Sequence, residues 1–236
     1  MSPQPRLENA GMDAWLVRLF DGIDERNMGW ITALVRACEQ AFGDDLVDLV
    51  PSYTTVLVQY DPLRLDDDQA RKKLQAVLAG LTPDRDLADT PVKELPVWYH
   101  PSVGPDMARL ERHTGLAADR LIQLHSEHEY RVFALGFAPG FAFMGSLPAE
   151  LELPRLDTPR PRVPAGSVAI AGRQTSAYPQ VSPGGWNLLG RTSATLFDPR
   201  SKRLSLLQVG DRVRFVPVDK AAFERLGGDT SPMATR

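Results

Sequence analysis

Between residues 135 and 198 glycine or proline recurs every few positions, and this feature constrains the fold more than any other in the chain. Proline removes a backbone donor and clashes with the preceding helical turn, and interior glycine costs about 1 kcal/mol relative to alanine, so no long helix survives there. What remains between the breaks is short and β-prone: residues 130–137, 167–171, 186–189, 194–197 and, beyond the dense stretch, 212–218. Several short strands between turn signals predict a closed or partly closed β-barrel rather than a doubly wound sheet. The same breaks dispose of a misleading membrane signal. Residues 132–149 carry no charge and contain Gly136-x-x-x-Gly140, but Pro139, Gly140, Gly145 and Pro148 interrupt them, and mean hydropathy over the chain is −0.24. Nor is this stretch a phosphate loop, because Ser146 stands where the motif needs lysine.

The first hundred residues have a different rhythm. Residues 12–20 read as a strand, and Ile31, Leu34, Val35, Cys38 and Phe42 recur at helical spacing until Gly43. Two short strands at 46–50 and 54–60 flank Pro51, a second helix is marked by Ala70, Leu74, Val77, Leu78 and Leu81, and residues 91–99 read as a further strand. The order βαββαβ predicts a ferredoxin-like α+β domain with two helices on one face of a four-stranded antiparallel sheet. Two short helices at 106–113 and 118–125 then form a hairpin, with Asp106 as N-cap and Gly115 as stop, and a last helix is expected at 219–226. A length of 236 residues suits one large domain or two small ones. The patterns divide it into a disordered segment 1–11, an α+β domain 12–95, a barrel domain 96–226 and a disordered tail 227–236.

Charge and cysteine content narrow the function classes. A formal net charge of −3 offers no basic field for a nucleic acid or an anionic membrane. The lone Cys38 makes neither an internal disulfide nor a zinc site, and the amino terminus shows no apolar leader, so a cytoplasmic protein is expected. No Gly-x-Ser-x-Gly, His-Glu-x-x-His, Cys-x-x-Cys or G-x-G-x-x-G motif occurs. His125-Ser-Glu-His128 has the spacing of a metal pair but falls where helix gives way to strand, which favours capping or packing; no metal site is assigned. His113 reads as a surface residue. The remaining density of rigid turns, glycines and polar tips has the composition of a preformed pocket: Arg162, Gln174, Thr175, Tyr178, Ser182, Asn187 and Arg191. The plainer reading of each glycine and proline is a barrel corner, and of Trp186 a core residue. Arg160 and Arg162, set between prolines, are held on a stiff loop able to clamp a carboxylate or phosphate.

Together, Phe137-Ala-Pro-Gly-Phe, Thr158-Pro-Arg-x-Arg-Val-Pro-Ala-Gly-Ser-Val, Gln174-Thr and Ser182-Pro-Gly-Gly-Trp-x-Leu-Leu-Gly-Arg-Thr resemble the 5-oxoprolinase B-subunit family. That family is also called allophanate hydrolase subunit 1 and includes the sensor-kinase inhibitor KipI. Gly104-Pro-Asp, His113-Thr-Gly-Leu, Leu124-His125 and Gly210-Asp-Arg-Val-Arg-Phe fit the same pattern, whereas His100-Pro-Ser-Val stands where relatives carry Gly-Gly. The resemblance implies a cyclophilin-like barrel after the ferredoxin-like domain, a directly bound 5-oxoprolinase C-subunit, an A-subunit beside them, and ATP as co-substrate with magnesium. It implies phosphorylation of 5-oxoproline and hydrolysis to L-glutamate, with this chain inactive alone. The alternatives are a regulator of a sensor histidine kinase and a carboxyltransferase or allophanate hydrolase component acting on a urea-derived substrate. On this reading Arg162, Gln174 and Thr175 are catalytic, and His125, Phe137, Tyr178, Ser182, Trp186 and Arg191 bind substrate or nucleotide.

Overall fold

The computed structural model describes residues 3–84 and 90–233, and the chain divides into two compact units between Thr90 and Pro91. The first unit contains β1 (Arg6–Asn9), β2 (Ala14–Arg18), α1 (Met28–Phe42), β3 (Leu46–Pro51), β4 (Thr55–Tyr60) and α2 (Asp67–Ala79). Its antiparallel sheet has the order β1-β2-β4-β3. Alternation along β2 and β4 buries Trp15, Val17, Val56, Val58 and Tyr60, while Ile31, Leu34, Cys38 and Phe42 form the buried stripe of α1. A capping box starts α2: the Asp66 carboxylate accepts from the Gln69 N–H at 2.8 Å, and the Gln69 side chain accepts from the Asp66 N–H at 3.0 Å.

The second unit contains β5 (Val92–Trp98), α3 (Met107–Thr114), α4 (Ala118–Glu127), β6 (Tyr130–Leu135), β7 (Ala142–Gly145), β8 (Arg160–Val163), β9 (Ser167–Ala171), β10 (Gln174–Ala177), β11 (Ser182–Gly184), β12 (Asn187–Thr192), β13 (Arg212–Pro217) and α5 (Lys220–Arg225). Seven strands close a barrel in the order β10-β7-β6-β13-β5-β12-β9, and β9 pairs with β10 to complete it. The β8–β11 ribbon is a separate two-stranded sheet. Leu95, Val97, Val132, Met144, Val168, Ile170, Leu189, Val213 and Phe215 belong to the barrel core. The uncharged stretch with membrane-like hydropathy becomes β6, a turn and β7; among the described residues no helix is long and apolar enough to cross a membrane.

Four expectations need correction. The strand at 91–99 is no part of the first sheet: β5 runs parallel to β13 from Val92 opposite Arg212 to Pro217 opposite Val97, so the division falls at 90/91 rather than 95/96. Its place at the edge of the first sheet, beside β2, is taken by β1, which lies in the segment expected to be disordered. The first unit is therefore ββαββα in chain order, not βαββαβ. Residues 194–197 form only a bridge between Phe197 and Ser205. The tail is tied down as far as it is described, since Arg191 donates to the carbonyls of Asp229 and Ser231 and the Met233 N–H donates to the Ser102 carbonyl. Physically, alternation marks a strand but not its neighbour, and backbone pairing across long sequence separations is settled only when the barrel closes.

Candidate functional site

Prolines build the first wall of the site. Pro159, Pro161 and Pro164 keep the segment around β8 extended, and among the described residues β8 pairs only with β11, with Ser182 opposite Val163 and Gly184 opposite Arg160. Asp106 anchors this ribbon. Its buried carboxylate accepts from Arg160 Nη2 at 2.8 Å and from the Leu188 N–H at 2.7 Å, tying β8 to β12 through the start of α3. It makes no cap hydrogen bond to α3, contrary to the sequence expectation, because both its oxygens are turned to these partners. Gly115 does end α3, with φ +74°. Asn187 reinforces the same corner by accepting from Arg109 and donating to the Pro154 carbonyl at 3.0 Å.

Beside the ribbon lies a cleft of about 1050 Å³, lined by Pro101, Ser102, Pro105, Leu156, Asp157, Thr158, Arg160, Pro161, Arg162, Pro164, Pro232 and Met233. Arg160 is neutralised by Asp106, whereas Arg162 is exposed and forms no salt bridge among the described residues. The cleft therefore offers one uncommitted guanidinium on a rigid support, an arrangement suited to an anionic group.

A second, smaller cavity of about 110 Å³ lies among Phe137, Phe141, Phe143, Tyr178, Trp186 and Arg155, with the backbone of Pro183, Gly184 and Gly185 at its edge. The rings are locked edge to face: Phe141 meets Tyr178 at 5.3 Å and 80°, and Trp186 at 5.6 Å and 88°. Gly184 is required here, because an added Cβ would sit 2.2 Å from the Tyr178 hydroxyl. Burial raises the Tyr178 pKa, opposed by a hydrogen bond from the backbone N–H of Trp186 and by the charges of Arg155 and Arg160. Phe137 is 64% exposed and has φ +69°, a conformation that costs a non-glycine residue of order 1 kcal/mol and persists because the turn from Gly136 to Phe141 is internally hydrogen-bonded.

The other residues expected at the site are not brought to it. Thr175 lies on β10 opposite Met144 and Ile170 with no exposure, and donates its hydroxyl to the Ala169 carbonyl at 3.1 Å. That donation leaves His125 Nε2–H to donate to Thr175 Oγ1 at 2.9 Å, and His125 Nδ1 to accept from the Tyr99 hydroxyl at 2.7 Å. Burial, with His128 nearby, lowers the His125 pKa to about 3, so the ring is a neutral cross-link of the barrel interior rather than a ligand contact. Gln174 starts β10 and Tyr178 follows its end, so about 13 Å of extended chain separates them and they do not share a mouth. Arg191, 1% exposed, spends its guanidinium on the tail, while burial lowers its pKa against the pull of Asp229. Ser182 lies on β11 with its hydroxyl oxygen buried and unpaired among the described residues. Of the expected set, Phe137, Tyr178 and Trp186 converge on the aromatic cavity and Arg162 on the cleft. Sequence reasoning missed Arg155, Phe141, Phe143 and the anchoring role of Asp106. The alternating aromatic spacing of Phe137, Phe141 and Phe143 in a glycine-rich run was the available signal.

Comparison with known proteins adds a family to this geometry. The family described as carboxyltransferase domain, subdomain C and D, matches residues 5–207. A Bacillus subtilis (strain 168) protein named as the B subunit of 5-oxoprolinase is 33% identical over 230 residues, covering 93% of this chain and 95% of that protein. Its namesake from Escherichia coli O157:H7 is 42% identical over 176 residues, covering 73% of this chain and 78% of that one. Among solved structures, TTHA0988 is similar with a TM-score of 0.77 and 40% identity over 89% of this chain, which spans only 40% of the TTHA0988 chain.

Proposed function

The chain belongs to the 5-oxoprolinase B-subunit family, and from that premise we propose that it is the B subunit of an ATP-dependent 5-oxoprolinase, bound directly to the C-subunit of that enzyme and acting with its A-subunit. A lactam amide is a poor electrophile, and phosphorylation of its oxygen activates it. The γ-phosphoryl group passes from ATP to the amide oxygen and ADP leaves. Water adds at the activated carbon, the ring C–N bond opens to the amine, and a second water releases phosphate to leave L-glutamate. The observation that carries this reading is Arg162, an uncommitted cation on a proline-stiffened ribbon beside a cleft large enough for a nucleotide. Among the described residues no group of three His, Cys, Asp or Glu side chains is placed to hold a metal, so magnesium would arrive on the nucleotide phosphates.

The test is 5-oxoproline-dependent ATP hydrolysis by the complex reconstituted with the C- and A-subunits. Arg162→Ala is expected to lower turnover at least about tenfold, equivalent to about 1.4 kcal/mol of transition-state stabilisation, at unchanged melting temperature. Arg203→Ala, on the exposed 201–204 turn, serves as the control. Wild-type turnover in Arg162→Ala would remove its role, and absence of 5-oxoproline-dependent hydrolysis in the wild-type complex would remove the function itself.

A further inference from the structure

We propose that the two cavities divide the substrates: the aromatic cavity takes the five-membered ring of the lactam acid, with Arg155 receiving its carboxylate, and the larger cleft takes the nucleotide. This assignment rests on the function proposed above and deepens it.

Size separates the two cavities first. The aromatic cavity, at about 110 Å³, is far below the roughly 300–1,000 Å³ of pockets that hold drug-sized ligands, so it admits a single small ring and excludes a nucleotide. The cleft, at about 1050 Å³, has the opposite character. Shape follows from the locked rings. Phe141 is buried beneath, Tyr178 and Trp186 stand perpendicular to it, and Phe137 stands at the rim, edge-on to Phe141 at 5.2 Å. Flat walls at fixed angles suit a small, nearly planar ring and give it no freedom to tumble. An exposed phenylalanine held at positive φ is poorly explained by packing, since it buries little, but it is well placed to close over a ligand.

Charge then orients the ring. The Arg155 guanidinium carbon lies 5.8 Å from the Trp186 ring centre, so the tryptophan face steadies the cation while its N–H fork stays available. Arg155 is exposed and forms no salt bridge among the described residues. A carboxylate on a ring carbon is the group such a fork recognises.

The two cavities also share a wall. Arg155 lines the aromatic cavity and its neighbour Leu156 lines the cleft, while the Leu156 N–H donates to the Gly185 carbonyl at 2.7 Å. Arg160, on the cleft side, reaches the carbonyl of Trp186 at 3.4 Å. A ring amide and a terminal phosphate would therefore have to meet at the rims of the two cavities, around the segment 155–160, with no chain between the amide oxygen and the phosphorus.

The experiment uses the complex reconstituted with the C- and A-subunits and measures KM separately for L-5-oxoproline and for ATP. Arg155→Ala and Phe137→Ala, both at exposed positions, are each expected to raise the 5-oxoproline KM at least about tenfold and to leave the ATP KM within about twofold; Arg162→Ala is expected to show the reverse pattern. Pyrrolidin-2-one, the same ring without its carboxylate, is the second probe. As an inhibitor of the wild-type complex it should bind at least about tenfold more weakly than 5-oxoproline, and in Arg155→Ala that preference should disappear. An active wild-type complex whose 5-oxoproline KM and carboxylate preference survive both substitutions overturns the division while the function stands. A wild-type complex without 5-oxoproline-dependent activity overturns both.

Discussion

His125 illustrates how a residue with reactive chemistry becomes structural once both ring nitrogens are spoken for. Unfolding restores its ordinary pKa of about 6.5, whereas in the folded barrel the value falls to about 3. Its contribution is therefore fully present above about pH 6.5 and is lost as pH falls toward the folded value, at up to about 1.4 kcal/mol per pH unit. Urea denaturation at pH 7, 6 and 5 should show a steeper loss of stability for the wild type than for His125→Gln, which cannot take up that proton; parallel slopes would contradict the neutral, buried ring. Thr175 and Arg191 make the same point. Their hydroxyl and guanidinium looked like pocket tips, but register and the returning tail turned them inward. Phe137, Tyr178 and Trp186 stood out in the sequence as aromatic side chains among rigid turns, and the fold packs them around one cavity. Asp106 was half legible: a short carboxylate before a helix signals a cap, and only the fold brings Arg160 and the β12 backbone to it.

At the scale of elements, β5 is the instructive case. Its alternation identified a strand correctly, and Leu95 and Val97 are indeed buried, but in the barrel core. A fragment beginning at Pro91 and ending at Met233 should therefore melt cooperatively. One beginning at Pro96 loses four of the six residue pairs between β5 and β13 and should melt at lower temperature or without cooperativity, as followed by circular dichroism. Ending at Val218 should harm the fragment as well, because Phe223 of α5 is fully buried against Trp98 and Val103 and the tail carbonyls pair Arg191. Equal melting of all three fragments would show that these contacts contribute nothing. Helices α1 and α2 were legible from their period, a local signal, and Gly43 marked the end of α1, with φ +52°; the capping box of Asp66 and Gln69 went unread, and Leu81 lies beyond the end of α2 at Ala79. The partner of β5 was not legible, since Val92 pairs with Arg212, far along the chain.

At the scale of the whole molecule, the chain carries two candidate cavities on the second unit but no nucleophile, base and oxyanion donors gathered in one place among the described residues. The purified chain alone is expected to hydrolyse neither ATP nor 5-oxoproline, with activity appearing when the C- and A-subunits are added; turnover by the isolated chain, followed as phosphate release, would contradict this. Although Gln174, Thr175, Ser182 and Arg191, read as loop tips, lie on strands, the sequence by itself determined that there would be a helix-bearing first unit, a barrel after it, and tight turns through residues 135–198. These follow from local forces: periodicity, proline and glycine stereochemistry, and capping. Tertiary structure alone decided that β1 rather than β5 completes the first sheet, that Arg160 is neutralised while Arg162 is left uncommitted, and that His125 and Thr175 face each other inside the barrel. Those outcomes turn on strand register and on the burial of charges, which exist only once distant segments have met in a medium that excludes water.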